Sequence, residues 1–214
     1  MISFGRKKEP VDADGALPGR STAVLRMPTF HRITGDPIDR EFPGAEVAYF
    51  ALGCFWGAEK LYWKTDGVLS TAAGYMGGFT PNPSYEEVCS GRTGHAETVR
   101  VVFDPQRISY AKLLQVFFEN HDPTQGDRQG NDIGSQYRSA IFTTSPEQDS
   151  VAHLSLNDYQ KSFNAAGYRA ITTTIRAASE NPWYFAEAYH QQYLDANPNG
   201  YCPVHATGVT CNPS

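Results

Sequence analysis

The order of strand-forming and helix-forming segments predicts an α+β fold: a two-layer α/β plait with a split β-α-β-β-α-β core, added C-terminal helices and a loop-like, cysteine-bearing tail. Three observations predict it. Between residues 46 and 144, β-rich apolar runs and helix-period runs follow one another as strand, helix, strand, strand, helix, strand. Turn residues separate these runs, and no linker divides them. Hydrophobic residues make up 40% of a chain of 214, enough for one core at a length that suits one domain.

Residues 1–22 are polar and charged, and read as an N-terminal arm ahead of a single catalytic domain over 23–196. EVAYFALG (46–53) is a buried strand. In the helix that follows, Phe55, Ala58, Leu61 and Tyr62 recur at helical spacing, and Gly67 supplies the stop. VLSTAAGY (68–75) is a second strand and MGGFTPNPS is turn chemistry. Ser84 and Glu87 form a capping box for a short helix over 84–91. AETVRVVFD (96–104) alternates as a half-buried strand. The helix over 109–121 carries Leu113, Val116 and Phe117 on one face, and 137–144 reads as a strand after a polar loop. Ser145 caps a helix with Pro146 at its first position, which Gly167 closes. AITTTIRA (170–177) reads as a further strand and WYFAEAYHQQYLDAN (183–197) as a further helix. From Asn197 on, Pro, Gly and Asn make a tail over 197–214.

A net charge of −5 offers no basic face for nucleic acid. The N-terminus lacks the apolar stretch of a secretory signal, and no run of about 18 apolar residues could span a membrane. We therefore expect a soluble cytoplasmic protein, a monomer, with its thiols reduced at rest. The four cysteines, Cys54, Cys89, Cys202 and Cys211, contain no C-x-x-C spacing, so zinc knuckles and thioredoxin-type motifs lack their usual signal. Two of them stand near the end of the chain, an unusual place for core residues. Cys89, on the short helix, reads as a packing thiol.

Cys54 lies in LGCFWGAEK (52–60), where a strand ends and a helix begins. Backbone N–H groups and the helix dipole converge there, which is expected to lower a thiol pKa and favour the nucleophilic thiolate. Phe55 and Trp56 would wall the site with apolar surface suited to a methyl group. The alternative reading is a small buried hydrophobe, common for free cysteines. Without further information Glu97 reads as a solvent-facing strand residue, and Tyr85 and Tyr137 as core or rim tyrosines. His95, His121 and His190 read as second-layer hydrogen-bonding groups.

GCFWG, GYMGG, PSYEEVCSGRTGHAE, HDPTQ, GNDIGSQYRS, HQQYL and NPNGYC occur in that order, and ALPGR (16–20) precedes them. Together they resemble the A-type peptide methionine sulfoxide reductases over nearly the whole chain, in the bacterial three-cysteine subgroup. The resemblance implies that Cys54 attacks the sulfur of methionine-S-sulfoxide and that Glu97 protonates the leaving oxygen, with a pKa raised by burial. It implies that Tyr85 and Tyr137 donate to the same oxygen, that Asp132 is a polar residue of the substrate pocket, and that Phe55 and Trp56 take the methyl group. The resulting Cys54 sulfenic acid would be resolved by Cys202, and Cys211 would take over the disulfide for reduction by thioredoxin. No metal or organic cofactor is implied, since the electrons come from thioredoxin or a small dithiol.

Many relatives have a glycine-rich stretch between the tail cysteines, whereas this chain reads CPVHATGVTC, with Pro203 stiffening the chain beside Cys202. A two-cysteine cycle with Cys211 a bystander is the alternative. A thiol peroxidase, an aromatic cage for methylated ligands and a Cys/His hydrolase are the other functional readings. The first leaves Glu97 idle, the second leaves the tail cysteines unexplained, and the third needs a histidine at Cys54.

Overall fold

Burial of the inner strands on both faces sets the architecture. The computed structural model describes residues 11–202 and 206–211. Its core elements are β1 (Glu46–Leu52), α1 (Phe55–Trp63), β2 (Val68–Met76), α2 (Tyr85–Cys89), β3 (Ala96–Phe103) and α3 (Tyr110–Glu119). A small hairpin of β4 (Arg128–Gln129) and β5 (Asp132–Ile133) leads into β6 (Ser139–Thr143). Then come α4 (Pro146–Ala165), β7 (Thr174–Ala177), β8 (Tyr184–Phe185) and α5 (Tyr193–Ala196).

The sheet runs β7-β6-β1-β3-β2-β8. Its four inner strands are antiparallel in the order β6-β1-β3-β2, the split plait that the element order predicts. β7 extends it in parallel beside β6, and β8 extends the other edge at Gly74 and Tyr75. One face packs on α1, α3 and α4. There Phe50 stacks on Tyr62 at 5.0 Å and meets Phe117 at 5.7 Å between ring centroids. Fully burying rings of this size stabilises the fold by about 2–3 kcal/mol each. The other face is covered by Leu25 and Ile38 of the N-terminal segment and by Trp183 and Phe185. Both faces are therefore dry, and β3 is buried along most of its length rather than half-buried. Among the described residues no helix is long and apolar enough to cross a membrane.

The local signals hold at the helix ends. Ser84 and Glu87 exchange both bonds of the capping box, and Ser145 caps α4 with Pro146 behind it. In α3 the buried face is Leu113, Leu114, Phe117 and Phe118, with Val116 at its margin. The arm is docked: Leu17 bonds Arg92 and Thr80, and Arg20 donates to the Asn82 carbonyl and to Glu87.

The helix expected over 183–197 does not form. β8 pairs with β2, a 3-10 turn spans Ala188–His190, and only Tyr193–Ala196 is α-helical. Two glutamines explain the difference. The Gln191 side chain accepts from the Ala73 N–H and donates to the Ala73 and Ala186 carbonyls. Gln192 is held in the left-handed region at φ 46° by tertiary hydrogen bonds that replace the helical ones. Likewise only Thr174–Ala177 of the expected strand over 170–177 pairs with the sheet.

Two features hold the strand-to-helix junction after β1. Gly53 has φ +99°, a conformation that strains any residue with a Cβ. A Cβ there would sit 2.7 Å from Cγ of Gln129, whose amide is bonded to the Asp122 N–H and carbonyl. His121 anchors this loop: Nδ1 donates to the Phe117 carbonyl at 2.7 Å, so Nε2 accepts from the Ser139 hydroxyl at 2.8 Å. We predict that Gly53→Ala lowers stability by about 1–3 kcal/mol in thermal unfolding. An unchanged melting temperature in Gly53→Ala would contradict this account of the junction.

Candidate active site

Strand parity brings Cys54 and Glu97 together. Phe50 and Leu52 point to the helical face of the sheet, and Cys54 follows them as the N-cap of α1. On β3, Glu97 shares its parity with Val99, Val101 and Phe103, which face the same helices. Glu97 is thus buried at 2% exposure beneath the start of α1 rather than turned to solvent, and the Phe55 N–H donates to its Oε2 at 2.9 Å.

This burial reverses the expected pKa of the thiol. The N–H groups of Trp56 and Gly57 face the sulfur and favour the thiolate, as the helix start predicts. Desolvation outweighs them, the Glu97 charge adds repulsion, and the Cys54 pKa is raised rather than lowered. Burial likewise pushes the Glu97 carboxyl up to about 8, against the Phe55 hydrogen bond. Near neutral pH both groups therefore hold their protons.

The other expected residues surround this pair. Tyr137, at the end of a 3-10 turn, lies close enough to feel the charges of Glu97, Asp132 and Cys54. Tyr85 feels Glu97 and Tyr137, and burial raises its pKa. Cys89 is exposed and lies close enough to Tyr85 to raise its pKa further, so it stands at the margin of the site and is not a packing residue. Asp132 accepts from the Tyr201 hydroxyl at 3.1 Å through Oδ1, while its buried Oδ2 has no partner. Trp56 is partly exposed, and its Nε1 donates to His190 Nδ1 at 3.0 Å. Phe55 is 1% exposed and packs against Tyr75 and His190, so it forms the floor of the site.

Three contributors escape a reading of the sequence: Tyr193, Glu187 and Tyr201. Tyr193 stacks on Trp56 at 3.9 Å and 17°, while His190, expected as a hydrogen-bonding group behind the site, is a buried neutral ring, its pKa lowered to about 4 by burial. Glu187 accepts from the Tyr75 hydroxyl at 2.9 Å and from the Tyr85 N–H at 2.8 Å, which orients the start of α2. Tyr201 covers Asp132. Their one signal is the HQQYL block and the adjoining NPNGYC, whose spacing carries no trace of the turn that aims them.

The tail cysteines stand apart from each other. Cys202 is exposed and follows Tyr201, which lies over the site. Cys211 packs against the helical layer near Tyr159 and Lys161 of α4, beside the buried Val209. Pro203 lies outside the described residues. All four cysteines are free thiols. Among the described residues, no group of three His, Cys, Asp or Glu side chains converges as a metal site.

The family model for peptide methionine sulfoxide reductase matches residues 46–211. The chain is 56% identical over 215 residues to the peptide methionine sulfoxide reductase MsrA of Cronobacter sakazakii, covering 99% of both. Its fold is similar to methionine sulfoxide reductase A of Corynebacterium diphtheriae, with a TM-score of 0.85 and 46% identity over 96% of this chain and 99% of that one. Mxr1 of Saccharomyces cerevisiae in its reduced form gives 0.71 and 35%, over 78% of this chain and 95% of that one. Mxr1 has also been solved in complex with Trx2, where the likeness is one of fold (TM-score 0.52, 24% identity, 78% and 92% covered). With the model matched across the plait and identity running the length of the chain, this protein belongs to the A-type peptide methionine sulfoxide reductase (MsrA) family.

Proposed function

We propose that the chain reduces the S epimer of methionine sulfoxide, free or in oxidised proteins, with Cys54 as nucleophile and Glu97 as general acid. The observation that carries this assignment is the buried Glu97 carboxyl held at the Phe55 amide, one residue from Cys54. A carboxyl protonated up to about pH 8 can donate to a neutral sulfoxide oxygen, which a solvated carboxylate cannot.

In this mechanism the substrate methyl lies against Trp56 above the Phe55 floor, with Asp132 as the polar residue at the rim. The sulfoxide oxygen accepts from the Tyr85 and Tyr137 hydroxyls and takes the Glu97 proton. The Cys54 sulfur forms a bond to the polarised sulfoxide sulfur and passes its own proton to the Glu97 carboxylate. The substrate S–O bond and the new sulfur–sulfur bond then break as the hydroxyl passes to the Cys54 sulfur, which releases methionine and leaves a sulfenic acid. Cys54 is oxidised by two electrons, the sulfoxide is reduced by two, and Glu97 ends protonated as it began.

Regeneration uses the tail. The Cys202 thiolate displaces the sulfenic oxygen as water and closes a Cys54–Cys202 disulfide, which requires Cα atoms about 5.5 Å apart. The contact of Tyr201 with Asp132 supports such an approach. Cys211 then exchanges onto Cys202 after leaving its seat on α4, and a thioredoxin dithiol reduces the exposed Cys202–Cys211 bond, as a partner of the kind Trx2 is for Mxr1. A two-cysteine cycle without Cys211 is the second reading, favoured by the packing of Cys211 on the helical layer. A reducing compartment such as the cytoplasm would supply this electron source.

The test is a single turnover without reductant. Cys202→Ser mixed with N-acetyl-methionine-S-sulfoxide should release about one equivalent of N-acetyl-methionine, as one site turns over once, and then fail to recycle with thioredoxin. Product from the R epimer, or none from either, would overturn the assignment. For the acid, the first-step rate should be full below about pH 8 and fall as pH rises through that value and Glu97 loses its proton. Glu97→Gln should slow this step by roughly 10²–10⁴ and abolish the descending limb. A wild-type rate that keeps climbing above that pH, as thiolate formation alone would give, would remove Glu97 from the role.

A further inference from the structure

One buried acid takes no part in this chemistry. Glu59 lies on α1, three residues after Trp56, with 0% exposure. Among the described residues its hydrogen bonds come from two sources only. Oε2 accepts from the Gln192 N–H at 2.8 Å, and Oε1 accepts from Gln192 Nε2 at 2.6 Å and from the Thr71 hydroxyl at 3.1 Å. Among the described residues no lysine or arginine side chain pairs with it. Taking a carboxylate out of water without a cation costs several kcal/mol, and an apolar side chain would fill the buried face of a helix at no such cost. Burial pushes the group up to about 7.

We propose that Glu59 is a positioning residue for the substrate pocket, holding Gln192 so that Tyr193 is stacked on Trp56. Gln192 has φ 46°, which costs a non-glycine residue about 1 kcal/mol or more and persists only where its surroundings enforce it. The enforcing bonds are the two to Glu59, together with Nε2 donating to the Thr71 carbonyl at 3.3 Å and the Arg32 N–H donating to Oε1 at 3.1 Å. Tyr193 follows directly as the first residue of α5. Residues three apart on a helix share a face, so Glu59 sets Tyr193 against the same helix that carries Cys54 and Trp56. The charged groups around this joint are His31, whose Nε2 lies 3.3 Å from Thr71 Oγ1, and the exposed Arg32–Asp195 pair. Neither supplies a cation to Glu59.

The inference rests on Trp56 being the methyl-binding wall, and the experiment separates the two. In single-turnover assays with N-acetyl-methionine-S-sulfoxide, Glu59→Gln should raise the half-saturating concentration about tenfold, the size of one lost charge-assisted bond, and leave the limiting rate within about twofold. Tyr193→Ala should produce a similar rise, and the double variant should add little to it. Gln192→Gly tolerates the left-handed backbone, loses the side-chain amide and should act as Glu59→Gln does, which keeps the test available if the latter does not fold. Additive effects in the double variant, or a fall in limiting rate with half-saturation unchanged, would overturn the role of Glu59. A shift in Tyr193→Ala with none in Glu59→Gln or Gln192→Gly would do the same. No shift in Tyr193→Ala itself would instead bring down the wall reading, and the inference with it.

Discussion

The hydrogen bond from the Phe55 amide to Glu97 joins the first turn of α1 to a central strand with water excluded. The chemistry depends on this one constraint. It brings a carboxyl beneath the thiol, and the two groups then control each other's protons. A helix start favours anions by about 1 kcal/mol, whereas removing a thiolate or carboxylate from water costs several times more. Burial wins at both positions. A resting enzyme of this kind keeps its thiol protonated and unreactive until a polarised substrate arrives beside the acid. That is a safer arrangement for a residue that forms sulfenic acid than a permanently exposed thiolate.

The aromatic wall depends on a second set of buried polar groups. Gln191 and Gln192 spend their amides on β2 and on Glu59 rather than on solvent, and so break a helix that local spacing favours. What results is an irregular segment between β8 and α5 that turns His190 onto Trp56 Nε1 and Tyr193 onto the Trp56 ring. Irregular backbone of this kind is held by the side-chain amides that bond it. The same segment supplies Glu187, which ties Tyr75 and the first turn of α2, so Tyr85 and Trp56 are set by one stretch of chain.

The plait was legible because its signals are local. Apolar strand runs, the Ser84–Glu87 capping box, Ser145 with Pro146, and glycines with positive φ at 67 and 167 each act within a few residues. The motif GCFWG and the blocks after it identified Cys54, and through the resemblance named Glu97, Tyr85, Tyr137 and Asp132. The need for Gly53 was not legible, since both its φ angle and its contact with Gln129 are set by the packed junction.

Other properties were decided by tertiary structure alone. Whether Glu97 faces solvent or α1 depends on which face of the sheet the helices cover, and one strand's alternation cannot say when both faces are dry. The sign of the Cys54 shift is a sum of desolvation and charges from β3 and the loop before β6, residues about forty to eighty positions away. Gln192 adopts its left-handed backbone through bonds to Glu59, far along the chain. The sequence by itself determined the plait elements over 46–144 and their order, because these follow from nearest-neighbour chemistry. Tertiary structure decided protonation, pocket shape and the route of the tail, because each depends on which distant groups exclude water together.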